Sequence, residues 1–418
     1  MFASSLVGWF RILGASQWLL DDTGSALLVG MIGVVQLFVQ IPALLWGGAV
    51  ADYMDRKRLV SVANGLTCMT MLAFGLLNAA DQLSPAIVYV GIAISAASQM
   101  VASPARSALV PAVIPKGKLM LAASTDTASQ NVAAIAGPLL FAALTLSAGL
   151  TTAFLVAAAI SVCSAVLPLL IRARGIATVE TNDATASAHL HSTATERVDH
   201  PTGVPAGNLA ATGRPRTSTI AQAREGLRYV ARHPILPGLF LLDTGITVAS
   251  FYREILPVLA LGLFAGGASA TGLLGAANSA GAIGGSFLAL FLAGYRAKGM
   301  LVLYASLAYG VILFGFGIAG NLWTGALMIA LLGAADAVTV AVRQTTVMLT
   351  TPDQMRGRAF SLMGLAAQSA NNIGTIWVGT WAAVIGAGNT MVLGGAISIM
   401  ATLLIGRFWS QIREYRSP

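Results

Sequence analysis

The sequence predicts an all-α polytopic membrane protein with twelve transmembrane helices in two pseudo-symmetric six-helix bundles. Three observations lead there. Hydrophobic residues make up 56% of the 418 positions and charged residues 10%, far from the roughly 25% charged of a soluble domain. About twelve apolar runs approach the roughly 20 residues that a membrane helix needs. A gapless offset of 237 residues then relates the first six runs to the last six: Gly47-Gly48 falls on Gly284-Gly285, Arg106 on Arg343, Pro115 on Pro352 and Gly137 on Gly374. Six-helix halves related about an axis along the membrane normal are an established transporter plan, with substrate held between them near mid-membrane.

In chain order the runs are 3–20, 26–50, 59–79, 85–104, 120–144, 151–171, 235–261, 270–293, 300–319, 322–342, 359–384 and 390–409. The first lacks a basic n-region and a small-x-small cleavage site, so it is expected to span rather than to be a leader. Cys68 and Cys163 fall inside runs, which implies neither a disulfide nor a cysteine metal site. Domain boundaries follow: an N-terminal bundle over 1–172, a cytoplasmic linker over 173–219, an interfacial helix over 220–234 and a C-terminal bundle over 235–418. The linker is rich in Ala, Thr, Ser, Pro and Gly and has no apolar period, so burial cannot offset its ordering entropy. In the helix after it, Arg224, Arg228 and Arg232 recur every four residues, a face suited to anionic head groups.

Charge placement sets the topology. With both termini cytoplasmic, every Lys and Arg except Arg11 and Arg253 lies in an inside loop, the inside tail or the inner end of a helix. The outside connections "DDTGS" (21–25), "NAADQLS" (78–84) and "GAGN" (386–389) contain no base. The net charge of +8 is therefore positive-inside patterning, not a nucleic-acid footprint. All four histidines lie outside the runs, no HExxH or GxxxxGK[ST] motif occurs, and no cofactor or metal is expected. An intramembrane enzyme and an ATP-driven pump are disfavoured.

The turn between the second and third runs, "GGAVADYMDRKRLV" (47–60), packs its charges into seven residues. It resembles the loop signature of the major facilitator superfamily, with Gly48 opening it, Asp52 as its acid and Arg56, Lys57 and Arg58 as its bases. Tyr53 and Asp55 depart from the usual pattern. The segments "SPARSALVPAVIPKGKL" (103–119), "NVAAIAGPLL" (131–140), "AREGLRYVARHPIL" (223–236) and "AADAVTVAVRQTTVMLTTPDQMRGRAFS" (334–361) resemble a bacterial exporter subgroup, that of the enterobactin exporter and related secretion-effector permeases. The resemblance implies a latch: Asp52 facing the amino end of the eleventh helix and Arg56 paired with a carboxylate. Bases that merely enforce topology are the alternative. It also implies a helix-five hinge or proton seal at Gly137-Pro138, the alternative being a packing kink. The subgroup is bacterial, which places the chain in a cytoplasmic (inner) membrane.

Six ionisable residues lie within the runs: Arg11, Asp126, Asp243, Arg253, Glu254 and Asp336. Each costs roughly 2.5–3.5 kcal/mol at a helix centre, so they must pair, neutralise or line a wet cavity. Two bases against four acids leave two carboxyls unmatched, and such carboxyls facing a cavity are what a proton gradient can load. Asp336 and Glu254 lead these candidates, followed by Asp126 and Asp243, and Asp126 is a possible partner of Arg11. Arg11 and Arg253, with Trp9, Phe10, Phe251 and Tyr252 nearby, are cavity-wall candidates; lipid anchoring is the alternative for the aromatics. Arg106 and Arg343 sit at the inner mouth. The expected function is a monomeric secondary transporter that exports small amphipathic molecules, such as siderophores or drugs, against protons. Proton-coupled import of a metabolite and a transport-inactive receptor or scaffold are the alternatives.

Overall fold

The computed structural model describes residues 2–113, 118–170 and 227–416. The side chains of 41, 44–53, 104, 107, 108, 110–113, 119, 120, 123, 353, 354 and 356–358 lie outside that description. Within it the regular structure is all helix, with no strand among the described residues. The helices are α1 (Phe2–Thr23), α2 (Ala26–Tyr53), α3 (Arg56–Ala79), α4 (Pro85–Val113), α5 (Leu119–Val166), α6 (Leu236–Ser250), α7 (Leu256–Phe264), α8 (Ala268–Phe291), α9 (Lys298–Gly317), α10 (Leu322–Thr350), α11 (Asp353–Ile385), α12 (Ala387–Phe408) and the short α13 (Ser410–Glu414).

Two irregularities reconcile these helices with twelve spans. The 48-residue α5 would be about 72 Å long if straight, more than twice a bilayer core. Its backbone leaves the helical region at Gly149, with φ 79° and ψ 172°. That φ is strained for any residue with a Cβ, so glycine is where the chain can reverse. The two arms of α5 are the fifth and sixth spans. The seventh span is α6 and α7 together, interrupted at Phe251 and Tyr252 and resumed through a 3₁₀ turn at Arg253–Ile255. Pro257 explains the break, because it has no N–H to give the carbonyl of Arg253.

Local caps match the sequence. Asp55 accepts a hydrogen bond from the Lys57 backbone nitrogen at 3.1 Å and starts α3. Asn321 does the same for α10 through Thr324 at 2.9 Å. The bundles are welded by edge-on aromatic pairs: Phe10–Phe141 joins α1 to the first arm of α5, Phe74–Phe154 joins α3 to the second arm, and Phe264–Phe316 joins α7 to α9.

The 237-residue repeat has a packing counterpart. Gly137 lets the first arm of α5 approach α1, where an added Cβ would lie 2.8 Å from Trp9 Cβ. Gly374 lets α11 approach the end of α6, where it would lie 2.6 Å from Phe251 Cβ. Each half thus uses a glycine on its fifth helix to dock its first.

The halves meet along a seam near the loops that carry no bases. There α2 packs on α11, and a Cβ on Gly30 would sit 2.9 Å from Gly379 Cα. Likewise α5 packs on α8, with Gly275 against Pro138. Asn372 donates to Gln40 at 2.8 Å, and the Thr271 hydroxyl donates to Gln17 at 3.1 Å, both across the seam.

The linker expected over 173–219, Arg224 and Pro115 lie outside the described residues. Residues 227–232 are helical, with Arg228 and Arg232 exposed and Val230 buried against Leu236, Val347 and Met363. The segment therefore docks on the base-rich end of the C-terminal bundle rather than resting only on lipid.

Candidate functional site

The break in the seventh span builds the site. Because the helix unwinds at Phe251 and Tyr252, Arg253 and Glu254 leave a turn instead of a regular helix and point in different directions. Interrupted spans serve transporters in this way, since irregular backbone is tolerated where it lines a cavity.

Arg253 faces a cavity of about 170 Å³ inside the C-terminal half. Its wall includes Asp243 of α6, Tyr309 of α9, Asp336 and Arg343 of α10 and Asn371 of α11. Asp336 is exposed inside this hollow although it sits at mid-helix. Arg343 is ion-paired with Asp243 and is only 6% exposed. Among the described residues its Nε finds no hydrogen-bond partner, and neither does that of Arg253. Arg253 lies 5.9 Å from the Trp9 ring centroid, a cation–π contact that crosses from α1 to the C-terminal half. It is also an electrostatic neighbour of Asp336. Tyr252 is buried, its hydroxyl accepting from Asn278 Nδ2 at 3.1 Å, while Ser250 and Tyr309 hydroxyls lie 3.2 Å apart.

Glu254 faces the other way, into the seam. Its Oε1 accepts from Gln36 Nε2 of α2 at 3.1 Å, and its Oε2 from the Thr375 hydroxyl of α11 at 3.3 Å. Arg11 is its electrostatic neighbour, and the two share a crevice of about 10 Å³ with Gln36 and Ser16. One carboxylate is therefore held from both halves at once.

The pairings differ from those the sequence suggests. Arg11 is matched with Glu254 rather than Asp126. Asp126 is the electrostatic neighbour of Arg106 and accepts from Gln130 at 2.9 Å. Arg343 lines the C-terminal cavity, and Arg106 donates to Gln99 at 2.8 Å. Counting them, four bases stand beside four acids. Among the aromatics, Phe251 and Tyr252 line the C-terminal cavity, Trp9 stacks under Arg253, and Phe10 is core against Phe141. Gln36, Thr375 and Asn371 are site residues that the sequence analysis missed. They are uncharged, and only their depth in apolar runs marks them.

For the turn after α2, the Gly48 and Asp52 side chains lie outside the described set, so the latch geometry does too. Arg56 and Lys57 are half-buried and Arg58 is exposed. Arg56 has no carboxylate partner among the described residues. Pro138 lies inside α5 and packs against Gly275 of α8 at the seam. No cluster of potential metal ligands occurs among the described residues.

Comparison with known proteins agrees with this architecture. The chain is 24% identical over 400 residues to the enterobactin exporter EntS of Citrobacter koseri, covering 95% of this chain and 83% of that protein. It is 24% identical over 384 residues to EntS of Escherichia coli O81, covering 92% and 80%. Among solved structures it superposes on a peptide transporter POT with TM-score 0.72 and 13% identity, over 99% and 93% of the two chains. It also superposes on a bacterial homologue of the human lysosomal transporter Spinster, in an inward-facing and occupied conformation, with TM-score 0.68 and 13% identity, over 99% and 96%. At that identity the structures attest the fold alone. A sequence profile of the Major Facilitator Superfamily matches residues 1–375, and the chain belongs to that family of membrane transporters.

Proposed function

We propose that the protein is a proton-coupled exporter of small amphipathic molecules, working by alternating access in a bacterial inner membrane with both termini cytoplasmic. The observation that carries the reading is the position of Glu254. It belongs to the C-terminal half, yet Gln36 of the N-terminal half holds it across the seam at 3.1 Å. When the seam opens, that hydrogen bond and the proximity of Arg11 are lost together, so the affinity of the carboxylate for a proton differs between the two states. A ligand shifts a conformational equilibrium only through such a difference. Asp336, exposed in the C-terminal cavity, is the second carboxylate that a proton reaches.

In the proposed topology the closed seam lies on the outer side, which makes this the inward-facing state. The N-terminal bundle ends at 172, the linker runs to 219, and each bundle moves as a body about the other. Gly137-Pro138 is the pivot on α5, and the 47–60 turn closes the inner face in the opposite state. The bundle lies in lipid as a monomer, with the exposed Arg228 and Arg232 toward anionic head groups.

Export is favoured over uptake by the two EntS relatives, whose name states what they export, and enterobactin is therefore the first substrate to test. Purified protein in liposomes with an imposed pH gradient should move enterobactin or ethidium toward the alkaline-to-acid direction set by antiport. Cells containing the protein should retain less of that compound than cells without it. Higher retention would reverse the direction, and transport indifferent to the gradient would remove the coupling.

A further inference from the structure

A second cavity lies in the N-terminal half, and the transport reading above gives it no role. It measures about 210 Å³ and is lined by Arg11 of α1, Asn64 and Thr67 of α3, Gln99 of α4, and Ser161 and Ser164 of α5. It uses the first, third and fourth helices of its half, as the charged cavity does in the other. The 237-residue offset places Gln99 on Asp336 and Arg106 on Arg343. The same offset places Gln17 on Glu254, and each of these accepts a hydrogen bond across the seam, from Thr271 and from Gln36. Where the C-terminal half has a carboxylate, the N-terminal half twice has a neutral amide. The first cavity balances two acids against two bases; this one has a base on its wall and, among the described residues, no carboxylate.

Its internal hydrogen bonds show what remains for a ligand. Arg106 donates to Gln99 Oε1, which leaves the Gln99 amide nitrogen donating to Thr67 at 3.2 Å. Asn64 Nδ2 donates to the Ser164 carbonyl at 2.9 Å. Thr67 and Ser161 donate to carbonyls one turn earlier. Three groups are left, the Ser4 hydroxyl on the α1 wall among them. Among the described residues the buried Ser164 hydroxyl has no partner, and the Arg11 guanidinium makes no hydrogen bond. Its charged neighbour, Glu254, lies across the seam. Arginine offers donors only, in a fork that matches a carboxylate. A cavity whose open positions are donors and whose wall carries a cation fits an acceptor with negative charge.

We propose that this cavity is an anion subsite that takes the carboxylate, or an oxyanion of similar size, at one end of the transported molecule. Arg11 anchors the anion, Ser164 donates the second hydrogen bond, and the Gln99–Arg106 pair holds the wall in place. The inference rests on the reading that the chain moves a small molecule, and on neither its proton coupling nor its direction.

The test is equilibrium binding to the purified full-length protein in lipid nanodiscs, without a gradient, by saturation-transfer NMR. The probes are benzoate, benzamide and benzylamine, equal in size and different in charge. Benzoate should bind about fivefold or more tightly than benzamide, the order expected for a charge-assisted hydrogen bond in a wet site, and benzylamine should bind least. Arg11→Gln should abolish the benzoate preference, Arg11→Lys should retain part of it, and Ser164→Ala should weaken benzoate alone. Equal binding of benzoate and benzamide, or no benzoate binding at about 10 mM, would overturn the proposal. So would a preference that survives Arg11→Gln or disappears instead in Arg343→Gln. If enterobactin transport follows the pH gradient while benzoate shows no preference, only the subsite fails; the reverse result removes the coupling and leaves the subsite.

Discussion

Glu254 of the C-terminal half accepts a 3.1 Å hydrogen bond from Gln36 of the N-terminal half, and its other oxygen accepts from Thr375. A carboxylate with one oxygen held by each side of a moving seam reports the state of that seam. Glu254→Gln keeps the size and the hydrogen-bonding reach but cannot take up a proton. Transport driven by a pH gradient should fall at least about tenfold, equivalent to 1.4 kcal/mol of lost coupling, while counterflow exchange without a gradient persists. Proteoliposome assays of both modes decide it, and equal loss in the two modes would mean that Glu254 is structural.

The Asp243–Arg343 pair makes a different demand. Both groups are well buried, at 17% and 7% side-chain exposure, so removing one partner strands the other charge. Such losses cost about 3–5 kcal/mol, whereas replacing both partners with apolar groups is often neutral. Asp243→Leu and Arg343→Met should each lower the melting temperature in detergent, and the double variant should recover most of the loss. A double variant that melts below both singles would show that the pair does more than neutralise itself.

Gly30 and Gly379 touch backbone to backbone across α2 and α11. A Cβ on Gly30 would come within 2.9 Å of Gly379 Cα, and one on Gly379 within 2.5 Å of Gly30 Cα. Neither neighbour is a flexible side-chain end, so the helices must part. Gly30→Val should shift the population toward a state open at the base-free end. Spin labels at Ser25 and the exposed Asn389, in a background lacking Cys68 and Cys163, should report a longer distance than in the parent. An unchanged distribution would place the seam contact outside the gating motion.

Much of the fold was legible because membrane spans are read from apolar runs, and all twelve runs coincide with helical segments or arms. The break at 251–255 was not. Arg253 and Glu254 were visible as charges, but the expected regular helix put them about 100° apart, and only the proline two residues beyond Ile255 hints at the turn that separates them. The charge pairs were the least legible part. Asp243 and Arg343 are 100 positions apart, and nothing local in either segment names the other. Arg106 and Arg343 read as inner-mouth charges from their place in the helix, and a long side chain reaches along it, which brings Arg343 to the wall of the C-terminal cavity. Gln36 and Thr375 were missed because an amide or hydroxyl among apolar neighbours carries no charge to draw attention.

His233 offers a prediction outside the bilayer. Its Nδ1 accepts from the backbone nitrogens of Ile235 and Leu236 at 3.2 and 3.3 Å, capping the start of α6. Its ring is tilted against Tyr229. Burial holds the imidazole below its usual pKa, partly opposed by a hydrogen bond to the Thr350 carbonyl. The folded state therefore binds fewer protons than the unfolded one just below the ordinary imidazole value of 6.5, so the capped form gains stability as pH rises. That contribution is complete above about pH 6.5 and is lost as pH falls toward the lowered folded value, where protonation removes the acceptor at Nδ1. Amide hydrogen exchange at Ile235 and Leu236, corrected for intrinsic rate, should accelerate as pH falls from about 7 to 5. His233→Asn, which accepts at any pH in that range, should flatten the dependence. Equal acceleration in the variant would assign the effect to another group on the base-rich end.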